Sequence, residues 1–415
     1  AKDRDAWLPD DLRSKIKDRA EIAYFPGCTS AFVEQDVALA TARLLDKAGI
    51  EFTYLGKEEA CCGIPMLMAG RWDAWEAIMD HNIELMKSKG VKTIVTSCPA
   101  CRLVWETYYK RWMLDRGEQY HFTAKHYSEV LAEQIAAGRF EIPETLKGRF
   151  TYHDPCHMGR ASGVYEAPRR LIQAIPGIDY QEMEFNRSQA HCCGSVMTLV
   201  ADPEAAARIG QVRLNDAQKV QAQTIITACP CCRFQLQVSG RVNNMDIQVR
   251  DLATVAARAC GYDIPDSEAV MERDWVPFDI MIRMLNPRGM ADMMAEMMDD
   301  LIQAMPGPMA GMMKWLRSRK PALKKPLIAA MKPVMPRLFP ILLPGMLPRV
   351  MPKMLEMVKA KVPMPDFMAE QMPDLMPPAM ADLMPKMLPD IIPYFMPHLE
   401  SYLQAENKPE VVLSR

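Results

Sequence analysis

EIAYFPGC, running from Glu21 to Cys28, is a β-rich stretch that delivers a cysteine at its carboxyl end, and RFTYHDPC, Arg149 to Cys156, does the same 128 residues later. Outward from each, the chain presents a vicinal pair, Cys61-Cys62-Gly63 and Cys192-Cys193-Gly194. A strand-like run then closes on a C-x(2)-C, Cys98 to Cys101 and Cys229 to Cys232. As spacings these are C-x(32)-CC-x(35)-C-x(2)-C and C-x(35)-CC-x(35)-C-x(2)-C, with corresponding positions 128 to 131 residues apart. Chance does not produce that agreement. Eleven of the twelve cysteines fall within the two sets, Cys231 among them, and Cys260 stands outside, so the pattern describes a unit duplicated around its thiols.

Hydrophobic periodicity fills in the rest of the unit. Val37, Ala40, Leu44 and Leu45 share one face of a helix expected over Glu34 to Ala48, with Gly49 as its stop. EFTYLG reads as a strand, followed by the Cys-Cys-Gly turn, a helix near Ala74 to Lys89, and the strand VKTIVTSC. The second copy repeats this with a helix around Arg169, the strand DYQEMEF, a helix from about Pro203 to Gln218, and the strand QTIITAC. Strands alternating with helices imply an α/β fold of parallel βαβ units, whose loops gather at the carboxyl ends of the strands. The motif cysteines should therefore converge on one edge of each sheet, many at helix N-termini, where the helix dipole favours thiolate. The expected organisation is an N-terminal tail (1–20), a first Cys-Cys-Gly domain (21–145), a second (146–275) and a C-terminal extension (276–415).

Composition narrows the setting. At 415 residues the chain suffices for two or three domains, whereas disulfide-stapled secreted scaffolds are short and cysteine-dense. A reducing compartment with metal-holding thiolates fits better. No N-terminal stretch has the layout of a signal peptide and no run reaches the 18 apolar residues of a membrane span. The net charge of −2 conceals three blocks: 35 basic against 43 acidic residues in 1–305, 12 against 1 in 306–361, and 3 against 8 in 362–415.

The segment from Met281 onward holds 25 of the 35 methionines and 21 of the 33 prolines. Met290, Met293, Met294, Met297, Met298 and Leu301 follow the i, i+3, i+4, i+7 rule, with Asp292, Glu296, Asp299 and Asp300 off that face, which predicts an amphipathic helix. Pro340, Pro344, Pro348 and Pro352 recur every fourth residue, as do Pro385, Pro389, Pro393 and Pro397. Each proline deletes a helical donor and clashes with the preceding turn, so this module is expected to be irregular and made of short helical pieces.

Four thiolates suffice for tetrahedral zinc or a cubane iron–sulfur cluster, and a C-x(2)-C pair alone would favour structural zinc. Each set here offers five. That surplus points to iron–sulfur chemistry. Both sets resemble the Cys-Cys-Gly domain of the heterodisulfide reductase family, specifically its catalytic B-type component and the related D-type and K-type components, across about residues 20 to 262. The resemblance implies two non-cubane [4Fe-4S] clusters, one on Cys28, Cys61, Cys62, Cys98 and Cys101, the other on Cys156, Cys192, Cys193, Cys229 and Cys232. In that family the clusters flank a substrate disulfide, each taking one sulfur during reductive cleavage. Cleaving an S–S bond takes two electrons and leaves two thiolates, which suits two one-electron sites.

Protons for such chemistry would come from His153, His157 or His191, which bracket Cys156 or precede Cys192. The competing role is hydrogen bonding to sulfur. Arg160 would neutralise cluster or substrate charge, or simply lie on a helix surface. Cys231 is either an alternative ligand or a packed thiol, and Cys260 reads as core.

The chain departs from the D-type and K-type pattern in lacking ferredoxin-like C-x(2)-C-x(2)-C-x(3)-C runs, and it has no G-x-G-x-x-G turn. Electrons are therefore expected to pass through another polypeptide, a C-type subunit with ferredoxin-type clusters, with a flavin subunit as a further partner. In the extension, Lys314, Arg317, Arg319, Lys320, Lys324, Lys325, Lys332, Arg337, Arg349, Lys353, Lys359 and Lys361 alternate with Trp315, Leu316, Leu327, Ile328, Leu338, Phe339, Ile341, Leu342 and Leu343. Basic side chains among bulky apolar ones suit a membrane surface, engaged through residues 306–400, and a cytoplasmic location at the inner face of the cytoplasmic membrane. They do not suit nucleic acid. The alternative is an arm contacting other subunits through Met364, Met368, Met372, Met376, Met380 and Met384. Three functions remain open on the sequence: disulfide, trisulfide or persulfide chemistry in a heterodisulfide-reductase-like complex, electron transfer to or from a quinone, or a scaffold with redox-silent clusters.

Overall fold

The computed structural model describes residues 4–195, 203–269, 271, 287–331, 333–361 and 366–405. By contacts the chain divides into two units, 1–272 and 273–415. In the first, the strands β1 (Ile22–Phe25), β2 (Thr93–Thr96) and β3 (Thr123–His126) form a parallel sheet in that order, with Ile22 opposite Thr93 and Thr93 opposite Thr123. A second parallel sheet has the order β5-β4-β6-β7, from β4 (Arg149–His153), β5 (Asp179–Tyr180), β6 (Thr224–Thr227) and β7 (Gln248–Asp251). β6 is buried along its whole length, as expected of a parallel strand covered on both faces. The fold is thus two α/β units with parallel sheets, as the alternation of elements implied.

The helices Gln35–Lys47, Trp72–Ser88 and Pro203–Lys219 lie within three residues of their expected bounds. Gln35–Lys47 buries Val37, Ala40, Leu44 and Leu45, the face its periodicity marked. Two expected strands fall short. EFTYLG makes only isolated bridges through Thr53, to Lys17 and Ala23, and DYQEMEF pairs only over Asp179–Tyr180. In the first, Phe52 and Tyr54 turn into the core and the chain breaks into a 3-10 turn at Gly56–Glu58, leaving the sheet early enough to bring in the Cys-Cys-Gly loop. The segment ahead of β1 does not trail: Trp7, Leu8 and Leu12 are buried, and Trp7 packs edge-on against Tyr24 and Tyr54 at 5.9 and 5.4 Å between ring centres.

The two repeats join reciprocally. Helix Gln35–Lys47, which follows the first strand of repeat one, packs on Leu252–Ala259, which follows the last strand of repeat two. Tyr127–Ala136 and Glu166–Gln173 make the mirror contact. One shared cluster of Tyr24, Leu44, Leu131, Leu171, Ile172 and Leu252 fills that seam.

The unit 273–415 is helical, over Pro287–Glu296, Met298–Ala304, Gly307–Arg317, Pro321–Met331, Met335–Lys361 and Asp366–Gln404. The short pieces expected from the prolines are replaced by helices of 27 and 39 residues. The interval of four explains why. A proline removes the N–H that would bond the carbonyl four residues back, and at this interval that carbonyl belongs to the preceding proline. The lost bonds therefore stack along one strip, and Pro348, Pro352, Pro389, Pro393 and Pro397 are exposed, so that water satisfies the freed carbonyls. The opposite strips, Met346, Leu347, Val350, Met351 and Met354 on one helix and Met384, Leu388, Ile391, Phe395, Leu399 and Leu403 on the other, are buried. Tertiary packing of those strips, not propensity, holds the helices.

The amphipathic stretch expected at Met290 to Leu301 is split into two helices, with Met290, Met294, Met297, Met298 and Leu301 buried. Met380 and Met384 belong to this unit's own core. Met364 lies outside the described residues, as do the side chains of Met368, Met372 and Met376, of Lys332, Lys359 and Lys361, and of Phe339 and Leu343. Lys324 turns inward, its Nζ 3.0 Å from the carbonyl of Ala405, while Arg317 is half-buried and pairs with the exposed Asp299 at 3.0 Å. Leu316 and Ile328 are core, while Trp315, Leu327 and Ile341 are exposed. No helix among the described residues is long and apolar enough to cross a membrane.

Candidate metal centre

Strand ends position the thiols. Cys28 and Cys156 follow the last residues of β1 and β4 by three, and Cys98 and Cys229 follow β2 and β6 by two, so four cysteines issue from the carboxyl edges of the sheets. Cys98 and Cys229 are also the N-caps of Pro99–Leu103 and Pro230–Val242. A proline at the first helical position needs no donor there and forces the residue before it into extended backbone; Cys98 accordingly has φ −118°, ψ 123° and Cys229 φ −154°, ψ 116°. Cys101 and Cys232 then come round on the first turn.

The glycine of each Cys-Cys-Gly is required by its surroundings. Gly63 and Gly194 have φ of +83° and +92°, and a Cβ on Gly63 would stand 2.7 Å from Trp75 Cδ1, one on Gly194 2.4 Å from the carbonyl oxygen of Ala206. The loops are tied down by residues the sequence did not single out. Asn82 Nδ2 donates to the Cys61 carbonyl at 2.9 Å, and Tyr109 Oη, on the π-helical segment Val104–Tyr109, donates to that of Cys62 at 2.9 Å.

All twelve cysteines are free thiols. Cys28 and Cys61 Sγ are 3.6 Å apart and Cys193 and Cys232 Sγ 3.3 Å. A disulfide would be about 2.05 Å, whereas sulfurs about 2.3 Å from one tetrahedral metal ion stand somewhat under 4 Å apart. Left to themselves such thiols share protons. Cys62, accepting from Cys101 and Cys61, is held down at about 6, while Cys101, donating to Cys62 and Cys98, is pushed well up. Making all of them thiolate in a buried volume requires cations among them. The donor set therefore fits iron–sulfur groups.

The two sets also meet. Cys98, Cys229 and Cys231 Sγ lie within 4.8 Å of one another. Cys98 and Cys229 are equivalent residues of the two repeats, 131 apart, so their contact lies at the approximate two-fold relating them. Cys231, whose counterpart in the first repeat is Ala100, also has the Thr29 hydroxyl at 3.6 Å. These polar and sulfur neighbours fit the alternative-ligand reading better than that of a packed thiol. Cys260 lies apart, against the seam cluster.

Of the four proposed proton or charge residues, the structure brings His153 furthest into the site. Its ring is within 4.8 Å of Cys193 and Cys232 Sγ. Arg213 Nε donates to its Nδ1 at 3.1 Å and is otherwise spent on the carbonyls of Phe185 and Tyr152 and on Asp216. His191, next to Cys192, binds Asp216 Oδ2 through Nδ1 at 2.6 Å and leans on the ring of Phe185. His157 is half-buried in the turn after Cys156. Arg160 donates to the carbonyls of Ala190 at 2.6 Å and Ser188 at 3.3 Å, bracing the loop that leads into Cys192. Arg213 and Asp216 escaped the sequence reading because they sit mid-helix, far from any cysteine along the chain.

Two facing, thiol-lined sheet edges of this kind define a protein built on paired cysteine-rich metal-binding domains. Residues 22–105 and 150–237 each match the CCG cysteine-rich domain family, and the chain carries two copies of that domain. Over 264 residues it is 35% identical to the D component of the dihydromethanophenazine:CoB–CoM heterodisulfide reductase of Methanosarcina barkeri, covering 63% of each chain. It is 31% identical to the B component of the fumarate reductase (CoM/CoB) of Methanothermobacter marburgensis, over 53% of this chain and 42% of that one. With the EtfAB:quinone oxidoreductase of Syntrophomonas wolfei it shares 32% identity over 55% of this chain and 34% of the relative. The chain thus spans less than two thirds of the length of these relatives, which are a heterodisulfide reductase component, a fumarate reductase component and a quinone oxidoreductase.

Proposed function

We propose that this chain is the iron–sulfur redox subunit of a heterodisulfide-reductase-like complex, working on a disulfide, trisulfide or persulfide between two non-cubane [4Fe-4S] clusters held by the two five-cysteine sets. The contact of equivalent Cys98 and Cys229 across the repeat seam carries this reading, because a two-electron cleavage needs two one-electron sites within reach of one substrate. When bound, the iron–sulfur groups would supply the electrons and a resting place for each departing sulfur.

The chain's own residues do the remainder. Asp216 holds the Nδ1 proton of His191 and so leaves Nε2, on a ring about one-third exposed, as the atom that takes or gives a proton to a leaving thiolate. Arg160 fixes the loop that carries His191. The partner supplying electrons is a subunit with ferredoxin-type clusters, linked onward to a flavin subunit. Anaerobically purified protein should carry about eight irons per chain, as two four-iron clusters require, with paramagnetic signals that respond to added thiol. Zinc, or two irons per set, would overturn the reading.

A second reading has an observation of its own. The similarity to a quinone oxidoreductase, together with exposed Trp315, Leu327 and Ile341 among basic residues, favours a membrane-surface subunit exchanging electrons with a quinone at the inner face of the cytoplasmic membrane. Removing residues 306–415 separates the two. Retained thiol chemistry with lost quinone activity supports the disulfide reading, and loss of all turnover supports the quinone one.

A further inference from the structure

The two cysteine sets are near copies, but the residues behind them differ at two equivalent positions. His153 ends β4 where Phe25 ends β1, each three residues before a ligand cysteine, and Arg213 stands where Asn82 does, each 21 residues after the first cysteine of its vicinal pair. All four side chains are buried, none more than 1% exposed.

In the second repeat the pair makes a defined proton arrangement. An arginine N–H can only donate, so with Arg213 Nε 3.1 Å from His153 Nδ1 that nitrogen accepts and the ring proton sits on Nε2. Nε2 is buried with no hydrogen-bond partner in range, and Cys193 and Cys232 Sγ lie within 4.8 Å of a ring nitrogen. Those thiols are the acceptors left to that N–H, and, after Cys193 and Cys229, the ring helps to hold the Cys232 thiol low. The same tautomer argues against His153 as a metal ligand, which would have to give that proton up. Gly194 N–H donates to Cys192 Sγ at 3.4 Å, as Gly63 N–H does to Cys61, so the backbone does not distinguish the sets. In the first repeat the corresponding side chains spare the sulfurs: Phe25 is apolar, and Asn82 and Tyr109 bond the carbonyls of Cys61 and Cys62. Buried arginines do not cancel the contrast, for Arg213 is paired with Asp216 and Arg4 with Glu59.

Hydrogen bonds to ligand sulfur draw negative charge from it and stabilise the reduced cluster. We infer that His153, locked by Arg213, makes the cluster on the second set the higher-potential one of the pair, so that an electron entering this chain comes to rest on Cys156, Cys192, Cys193, Cys229 and Cys232. His153 is then a tuning residue rather than the proton donor. The inference rests on the proposal that both sets hold iron–sulfur clusters.

Full-length protein, purified anaerobically, is titrated potentiometrically with paramagnetic resonance detection. The two signals are assigned by Cys62→Ser and Cys193→Ser. In the wild type the signal lost in Cys193→Ser should titrate at the higher potential. His153→Phe, which installs the residue of the first repeat, should lower that midpoint by a tenfold or greater change in the reduced-to-oxidised ratio, about 59 mV for one electron, without moving the other. His153→Gln, which keeps a donor, should recover part of the shift. Should His153→Phe lose its clusters, the wild type still decides: an exchangeable proton coupled to the second signal and weaker on the first supports the inference. Coincident midpoints, or an unmoved midpoint in His153→Phe, overturn it while leaving the cluster proposal intact. Zinc or an absence of iron–sulfur signals in the wild type overturns that proposal and the inference together.

Discussion

Arg233 Nη1 lies 2.7 Å from Asp36 Oδ2, and both side chains are shut off from solvent. Arg233 directly follows the last cysteine of the second set, and Asp36 opens the helix that follows Cys28, so the ion pair holds the two thiol sets at a fixed spacing. Glu34 is 3.4 Å from the same nitrogen, and its carboxyl is pushed well up by burial against the pull of Arg233. Removing Arg233 leaves the buried Asp36 carboxylate uncompensated, a change that typically costs about 3–5 kcal/mol. Arg233→Met should therefore lower the melting temperature strongly and open the seam between Gln35–Lys47 and Leu252–Ala259 to protease. The triple variant Glu34→Gln, Asp36→Asn, Arg233→Met should regain most of the loss. Equal instability in both variants would show that shape, not charge, dominates there.

The glycines of the two vicinal motifs should differ in tolerance. Alanine at Gly194 drives its Cβ onto the backbone oxygen of Ala206 at 2.4 Å, whereas at Gly63 it meets a Trp75 ring carbon at 2.7 Å. Backbone cannot step aside as a ring can, and a positive φ adds about 1 kcal/mol for any residue with a Cβ. Gly194→Ala is expected to abolish metal retention by the second set while the first stays loaded; Gly63→Ala should weaken the first set only partly. Metal content per chain, read with single-set cysteine variants as standards, checks the ranking.

What was legible in the chain, and what was not, follows from how local each cause is. EIAYFPGC and RFTYHDPC show a strand and its terminal cysteine because β-propensity and the thiol sit in one window, and C-P-x-C shows an N-cap because proline acts on its neighbour. The helix Gln35–Lys47 was legible from its apolar stripe. EFTYLG misled because Phe52 and Tyr54 carry strand propensity that the core uses for packing instead. The prolines of Met335–Lys361 and Asp366–Gln404 misled because each one argues against a helix, while their shared strip, away from the buried face, argues for one. Arg213, Asp216 and Asn82 were invisible for another reason: their meaning lies in a distance to a cysteine loop that only the folded chain creates.

Equivalent helix caps in the two repeats carry opposite pH dependence. His126 ends β3 and accepts the Ser128 N–H at Nδ1 while bonding the Ser97 carbonyl through Nε2, so its ring is neutral, and burial holds its pKa down at about 3 against an ordinary 6.5. The unfolded chain takes up that proton below pH 6.5 and the folded chain refuses it, so this contribution to stability is lost as pH falls, by about 2 kcal/mol at pH 5. Asp251 ends β7 and caps Leu252–Ala259, and burial pushes its pKa up to about 7 from 3.8. Here the folded chain holds the proton more tightly, and stability falls as pH rises from about 4 to 7. His126→Asn should flatten the acid limb of a melting-temperature profile and Asp251→Asn the opposite one. Unchanged slopes would mean that neither cap is neutral in the fold.

Exposed side chains on Gly307–Arg317, Pro321–Met331 and the start of Met335–Lys361 carry the chemistry that the membrane-surface proposal needs. Met312, Trp315, Leu323, Leu327 and Ile341 are 39–74% exposed, and Lys314, Arg319, Lys320, Lys325 and Arg337 are exposed among them. Each such cation near an anionic surface is worth about 1 kcal/mol and each buried apolar side chain about 1.5–3 kcal/mol. Five cations alone, at half that strength, already exceed thermal energy several-fold. The full-length protein should co-sediment with vesicles containing phosphatidylserine and not with neutral phosphatidylcholine vesicles, with salt releasing it. Charge reversal at Lys320 and Lys325 together, side chains that point away from this unit's core, should weaken binding about tenfold or more without lowering its helix content. Equal binding to both vesicle types would mean that the apolar residues act alone, and no binding to either would leave this face to another protein.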